Sequence, residues 1–288
     1  MLDLSLDFLY RQAFVPLRPI SSDVDLTGKT VLITGANVGI GLATSKILAQ
    51  HKVNRIILGV RDMPKGENAK SELTKLHSGI NVEIWPLDYD SFENMSAFCK
   101  RAESLDRLDI TILNAGNKPI HYAKSPTGHE STLQVNHLGT SFLSLLLLPV
   151  LTRTAHMNGN ASRLTIVSSE VHFWTPFDER HADSILEYMD QPDTFSIPWR
   201  YNTTKLFNVF WTRELAARTR AVDILINTVN PGLTWSDLHR EDNTIVFRIF
   251  RTLFARIAEQ AGHAVVDAAV VQPQDTHGAY ISEQKPSP

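Results

Sequence analysis

Thr34-Gly35-Ala36-Asn37-Val38-Gly39-Ile40-Gly41 lies between a strand-like run, Lys29-Thr30-Val31-Leu32-Ile33, and a segment in which Ile40, Ala43, Ile47 and Leu48 recur at helical spacing. The run before it is short, β-branched and bounded by Gly28, as a buried strand would be. A strand, a glycine-rich turn and a helix N-terminus together suit a pyrophosphate. Glycines let the backbone come close to phosphate oxygens, and the unpaired N–H groups of a first helical turn face the negative charge. The spacing is GxxxGxG rather than the commoner GxGxxG dinucleotide fingerprint. Taken alone, the stretch also fits a tight strand-to-helix turn with no ligand, and the rest of the chain decides between the two.

Outward from this turn, strand-like and helix-like segments alternate. Strands are expected at 55–60, 81–87, 108–113, 163–168 and 222–229, and helices at 64–77, 129–151 and 201–219. A further helix should start at Asp90, which forms a capping box with Glu93. Such alternation implies the α/β class: a single-domain, Rossmann-type, doubly wound parallel sheet with helices on both faces. Residues 1–27 read as an N-terminal amphipathic extension, and 28–288 as one dinucleotide-binding and catalytic domain. Two excursions, 170–200 and 233–262, break the rhythm. Both leave from strand carboxyl ends, where ligands of open α/β sheets bind, so both are expected to wall a substrate pocket. Phe173, Trp174, Phe177, Trp199, Trp235 and Phe247 would make that pocket apolar.

Composition narrows the function. Of 288 residues, 43% are hydrophobic and 20% charged, an ordinary globular balance. The net charge of −3 and the lack of a basic block argue against a nucleic-acid partner. The single cysteine, Cys99, excludes an intrachain disulfide and a CxxC zinc site, which fits a reducing compartment. The first twenty residues are interrupted by Asp3, Asp7, Arg11 and Arg18, unlike a secretory signal. The apolar run Leu145 to Leu151 is too short to span a bilayer. A cytoplasmic protein with no integral membrane span is expected, with peripheral membrane contact as the alternative. The chain contains no GxSxG elbow, no GxxxxGK loop and no HExxH pairing, so neither that hydrolase chemistry nor a metal site is expected.

The decisive constellation is Tyr201-Asn202-Thr203-Thr204-Lys205, because i and i+4 put Tyr201 and Lys205 on one helical face. A phenol titrates near ~10, and an adjacent ammonium stabilises its anion. Such a tyrosine can pass a proton to or from a carbonyl or alcohol oxygen while hydride moves at the carbon. The fifth strand ends in Ser168-Ser169, which brings a hydroxyl to the carboxyl edge of the sheet. Asn136 and Gly139 are poor helix-interior choices, which suggests that Asn136 serves something other than helicity.

These residues resemble the short-chain dehydrogenases/reductases over nearly the whole chain from Gly28 to Ser282. The matching elements are TGANVGIG at 34–41, Asn114-Ala115-Gly116, Asn136, Ser168-Ser169, Tyr201 with Lys205, and Pro231-Gly232. Within the family the chain looks most like the retinol-dehydrogenase-like branch, and especially like fungal members of secondary metabolism. The resemblance implies that Tyr201 is the general acid/base. Lys205 would lower its pKa and bind the nicotinamide ribose. Ser169 would hydrogen-bond the substrate oxygen, with Ser168 as the fallback, and Asn136 would hold a water in a relay with Lys205. Gly35, Asn37, Gly39, Ile40 and Gly41 would cradle the pyrophosphate. Asn114, Ala115 and Gly116 would follow the adenosine ribose and Asp88 the adenine edge. Ser236, after Pro231-Gly232, would contact the carboxamide where the family usually has threonine.

The second strand ends Gly59-Val60-Arg61-Asp62, with valine where an acid would bind a ribose 2′-hydroxyl and an arginine able to pair with a 2′-phosphate. NADP is therefore favoured over NAD, against which stand Asp62 and the lack of a basic residue at Val38. The function implied is NAD(P)H-dependent interconversion of a ketone or aldehyde and an alcohol on a hydrophobic small molecule. Two alternatives stay open: non-redox dehydration or isomerisation on the same fold, and a non-catalytic dinucleotide-binding regulator. The wide gap between Ser169 and Tyr201 leaves the pocket wall undefined. The resemblance also implies a homodimer or homotetramer built on the helices at 129–151 and 201–219.

Overall fold

The computed structural model describes residues 6–236, 238 and 244–287. The first five residues of the N-terminal extension, and 237 and 239–243 of the second excursion, lie outside the described residues. The strands are β1 Thr30–Thr34, β2 Arg55–Val60, β3 Asn81–Pro86, β4 Ile110–Leu113, β5 Ser162–Val167, β6 Ile224–Val229, β7 Tyr280–Ser282 and β8 Lys285–Ser287. They form one sheet in the order β3-β2-β1-β4-β5-β6-β7-β8. The helices are α1 Leu6–Phe14, α2 Gly39–Gln50, α3 Met63–Leu76, α4 Phe92–Glu103, the single turn α5 Ser131–Leu133, α6 Gly139–Asn158, α7 Ile185–Met189, α8 Ile197–Ala217, α9 Ile245–Phe254 and α10 Ala258–Val266. β1 through β7 are parallel, and β8 turns back antiparallel on β7, an edge that the sequence did not announce.

Strand alternation builds a core on each face. Val31, Ile33, Ile56 and Leu58 point into one cluster with Ile47 and Leu48 of α2 and Val265 of α10. Leu32, Ile57, Leu164 and Ile226 point into the other with Met95 of α4 and Leu143, Leu147 and Leu151 of α6. Two covered faces explain why the central strands read as continuous apolar runs. Among the described residues, α6 belongs to the one segment, Ser131–Asn158, that is long and apolar enough to cross a membrane by length and composition. Its Leu143, Leu147, Val150 and Leu151 are fully buried in the protein core.

Three expected boundaries move, each for a local reason. α4 is capped by Ser91, whose hydroxyl accepts from the Asn94 N–H at 3.1 Å, rather than by Asp90. Asp90 instead lies 3.5 Å from Arg61. α8 starts at Ile197, before Tyr201, because Pro198 suits a first helical turn. The expected helix at 129–151 is interrupted: Gln134–Leu138 forms a π-helical turn between α5 and α6.

The N-terminal extension fastens both excursions. Gln12 donates to the Leu233 and Phe254 carbonyls at 2.8 and 3.0 Å, and accepts from the Leu233 N–H. Arg11 pairs with Glu170 and Glu283, and Phe8 packs edge-on against Trp174 at 5.1 Å. The middle of the first excursion has its own small core, where Met189, Phe177 and Ile185 meet Leu133 of α5 and Phe207 of α8.

Candidate active site

The glycine turn is shaped by close approach. Gly35 (φ 64°) and Gly39 (φ 55°) occupy the left-handed region that favours glycine. A Cβ on Gly41 would lie 2.4 Å from the Gly35 carbonyl oxygen and 2.7 Å from Asn114 Nδ2. The N-terminus of α2, beginning at Gly39, has no side-chain cap, so its first N–H groups are left for an anion. Asn37 and Ile40 lie within the same turn, and Ser236 comes back to it: a Cβ on Gly39 would stand 3.4 Å from Ser236 Cβ.

Thr34 holds this turn against β4. Its fully buried hydroxyl receives the Tyr89 hydroxyl at 2.9 Å and the backbone N–H groups of Asn114 and Ala115, each at 3.1 Å. Asn114 Nδ2 donates to the carbonyls of Thr34 and Gly35 at 3.0 and 3.2 Å. The amide of Asn114 is therefore spent on the glycine turn itself. Gly116 opens onto the catalytic side, since a Cβ there would meet Asn136 Oδ1 at 3.1 Å and Lys205 Nζ at 3.7 Å.

The end of β5 and the start of α8 bring Ser169, Tyr201 and Lys205 together. Tyr201 is 7% exposed; burial pushes its phenol well up, and a hydrogen bond with Ser169 pulls it back in part. Lys205 is buried, and burial brings its ammonium down to about 8. Its Nζ donates to the Val167 carbonyl at 3.0 Å and lies 5.5 Å from the Tyr201 ring centroid. Ser168 turns away from the phenol, its hydroxyl donating to the Lys205 carbonyl at 2.9 Å. Of the two serines, Ser169 thus faces Tyr201 and Ser168 braces α8.

Asn136, on the π-helical turn, is fully buried and fully engaged. Its Oδ1 accepts from the Asn117 N–H at 2.8 Å, and its Nδ2 donates to the Asn117 carbonyl at 3.0 Å and to Thr204 at 3.2 Å. Asn208 Nδ2 donates to the Asn136 backbone carbonyl at 3.0 Å. The wider turn sets that carbonyl and carboxamide toward α8 and the β4 loop, as π-bulges at functional sites do. Pro231 is buried, and Gly232 adopts φ 78° where a Cβ would meet Arg256 at 2.7 Å.

At the far end of the turn, Arg61 extends into solvent with its nearest carboxylate, Asp90, at 3.5 Å. Asp62 caps α3 by accepting from the Lys65 N–H at 3.0 Å. Its carboxylate is thereby committed to the helix. Asp88 accepts from the Asp90 N–H at 3.0 Å, folding the loop after β3. Thr34, Asn117, Thr204 and Asn208 were not singled out from sequence, and neither was Lys118, whose Nζ lies 5.4 Å from the Tyr201 ring centroid. Only Thr34 and Thr204 lay inside quoted motifs, where a buried hydroxyl gives no periodic signal.

A family model described as short chain dehydrogenase matches residues 29–173. The chain is 53% identical over 279 residues to the short chain dehydrogenase sol3 of Alternaria solani, covering 97% of both chains. The chain belongs to the short-chain dehydrogenase family. It is also 33% identical to the short chain dehydrogenase virL of Hypocrea virens, covering 97% of this chain and 83% of that one. Among solved structures, the Pseudomonas aeruginosa RhlG/NADP active-site complex superposes with a TM-score of 0.69 at 21% identity, covering 91% of this chain and 97% of that chain. A short-chain dehydrogenase from Sphingobium yanoikuyae in complex with NADPH gives a TM-score of 0.61 at 21% identity, covering 83% of each. At such identities these likenesses establish the fold. As a member of the family, this chain is an oxidoreductase acting on a CH–OH/C=O pair with a nicotinamide dinucleotide.

Proposed function

We propose that this dehydrogenase is an NADPH-dependent reductase of a ketone or aldehyde on a hydrophobic small molecule of secondary metabolism. The observation that supports it most is the Ser169–Tyr201 hydrogen bond beside buried Lys205, at the sheet edge where the uncapped α2 terminus also opens. The residues fit a dinucleotide: the glycine turn closes on itself too tightly for a side chain at Gly41, and the uncapped N–H groups of α2 stand beside it. Gly35, Asn37, Gly39, Ile40 and Gly41 would hold the pyrophosphate, Asn114 to Gly116 and Asp88 the adenosine side, and Lys205, Pro231, Gly232 and Ser236 the nicotinamide side. When bound, the cofactor supplies the hydride.

The side chains do the rest. Ser169 orients the substrate oxygen, and Tyr201 delivers the phenolic proton to that oxygen as charge builds on it. The Lys205 ammonium attracts the resulting phenolate, and Asn136 keeps the β4 loop fixed against α8 beside Lys205. Arg61 would pair with the 2′-phosphate, and the commitment of Asp62 to capping α3 removes one objection to that pairing. The exposed Leu145 and Phe210 on α6 and α8 support self-association through those helices, which sedimentation would read.

The test is fluorescence titration of the purified protein with NADPH and NADH, beside Arg61→Ala. Tenfold or greater weakening for NADPH alone supports the assignment, and equal weakening for both refutes it. Tyr201→Phe should abolish substrate-dependent NADPH oxidation while leaving NADPH affinity unchanged. Retained turnover would remove the proton-transfer role.

A further inference from the structure

Two ammonium groups, not one, flank the catalytic phenol. Lys205 approaches from the same helix and Lys118 from the loop after β4, with Nζ atoms 5.5 and 5.4 Å from the Tyr201 ring centroid. Both distances lie within the range over which a cation is attracted to an aromatic face. Lys118 is not a chance visitor on a loose loop. The residue before it, Asn117, is gripped through its N–H and its carbonyl by the Asn136 carboxamide, and through Nδ2 by the Ser131 hydroxyl at 2.9 Å. A loop held at three points next to Lys118 fixes the backbone from which its ammonium reaches the ring. Lys205, by contrast, is turned down to the Val167 carbonyl and is buried. Lys118 is only half-buried.

We infer that Lys118 forms an anion subsite beside Tyr201 and selects carbonyl substrates that carry a second, ionised oxygen close to the reacting one, such as enolised 1,3-diketones and β-keto carboxylates. The inference rests on the carbonyl-reductase reading of this site and adds a substrate class to it. The phenolic oxygen sits on the rim of the ring that Lys118 overlies. With Nζ 5.4 Å from the ring centroid and the phenolic oxygen on the rim of the same ring, a ligand that meets both groups needs two oxygens held close together, which a 1,3-dioxygen pattern supplies. The ammonium has three donors, so it can take an anionic oxygen in addition to its protein partners. A simple ketone with the same hydrocarbon body carries no anionic oxygen to meet this cation. Lys118 thus places one charge beside the apolar pocket expected from the aromatic residues of the two excursions.

The test is calorimetric binding to the full-length protein of two probes of the same shape. One is 5,5-dimethylcyclohexane-1,3-dione, an enolate at neutral pH, and the other is the neutral 3,3-dimethylcyclohexanone. The wild type should bind the enolate at least tenfold more tightly. Lys118→Met should bring that ratio to within threefold, and Lys118→Arg should keep it, which separates lost charge from a disturbed loop. A wild type with no preference, including one that binds neither probe, overturns the inference, as does a preference that survives in Lys118→Met. Failure of the reductase reading would show separately, as NADPH oxidation that does not depend on Tyr201.

Discussion

Replacing Lys205 with methionine should make the protein more stable at neutral pH while destroying its activity. Burial lowers the ammonium from its ordinary 10.5 to about 8, so the folded protein holds this proton less tightly than the unfolded chain does. At pH 7 both states are charged, and the folded state bears the whole difference, about 3 kcal/mol at roughly 1.4 kcal/mol per tenfold. The sign follows directly. A lysine whose folded pKa is depressed destabilises most below pH 8, and the burden fades as the pH rises from 8 toward 10.5. By pH 10 it is about 1 kcal/mol. Methionine has similar length and no charge, but it forfeits the 3.0 Å hydrogen bond to Val167, a loss of about 1 kcal/mol. The net expectation is a variant about 2 kcal/mol more stable at pH 7 and about equal to wild type at pH 10. Urea unfolding of both proteins at the two pH values measures this, and the comparison cancels groups common to both. A variant less stable than wild type at pH 7, or a difference that does not change with pH, would refute the reasoning.

Gly41→Ala places a methyl 2.4 Å from the Gly35 carbonyl, so the turn must open; expect about 1–3 kcal/mol of destabilisation and loss of NADPH binding, read by urea unfolding and fluorescence titration. Thr34→Val keeps the shape but strips the hydroxyl from the Tyr89 hydroxyl and two backbone N–H groups, which should cost at least about 2 kcal/mol and raise the Kd for NADPH. Half-buried His137 has its pKa lowered to about 4 by desolvation, so the folded protein keeps it neutral while the unfolded chain protonates near 6.5. Stability from this group is intact above pH 6.5 and declines by about 3 kcal/mol as the pH falls to 4. His137→Gln should flatten that limb of the stability profile, and an unchanged limb would assign it to other groups.

The strands were legible because both faces of the sheet are covered, so β1 and β2 carry the apolar runs Val31-Leu32-Ile33 and Ile56-Ile57-Leu58, and β5 and β6 stay mostly apolar around Thr165 and Asn227-Thr228. β7 and β8 were not, being three residues each and held by pairing, β7 to β6 and β8 to β7, rather than by their own pattern. Tyr201 and Lys205 announce themselves through helical spacing on one element. Lys118 cannot, because it lies on irregular chain and reaches the same ring only through the long-range grip of Asn136 on Asn117. The anomaly of an asparagine in a helix interior was readable, but its physical form, a π-helical turn, needed the neighbours Thr204 and Asn208 to be seen. Likewise Arg11 and Gln12 sat in a stretch that looked like a cover, yet their partners at Glu170 and Leu233 are more than 150 positions away.

The price of burying an ammonium explains why two consecutive residues at the end of β5 are given over to one lysine. The Val167 carbonyl accepts from Lys205 Nζ at 3.0 Å, and the next residue, Ser168, donates its hydroxyl to the Lys205 carbonyl at 2.9 Å. The side chain and the main chain of the lysine are thus anchored to the same strand end, one residue apart. An unanchored buried lysine would relax toward solvent, because a flexible four-carbon stem allows it. Ser168 prevents the helix turn from shifting, and Val167 keeps the head group down. With both ends held, the ammonium stays beside Tyr201 and close to Gly116, where the β4 loop opens. Ser168 is therefore a positioning residue with a task distinct from that of Ser169, and the paired serines are not interchangeable. One bond holds the base of the lysine in register with β5, while the hydroxyl of Ser169 is left to meet the phenol.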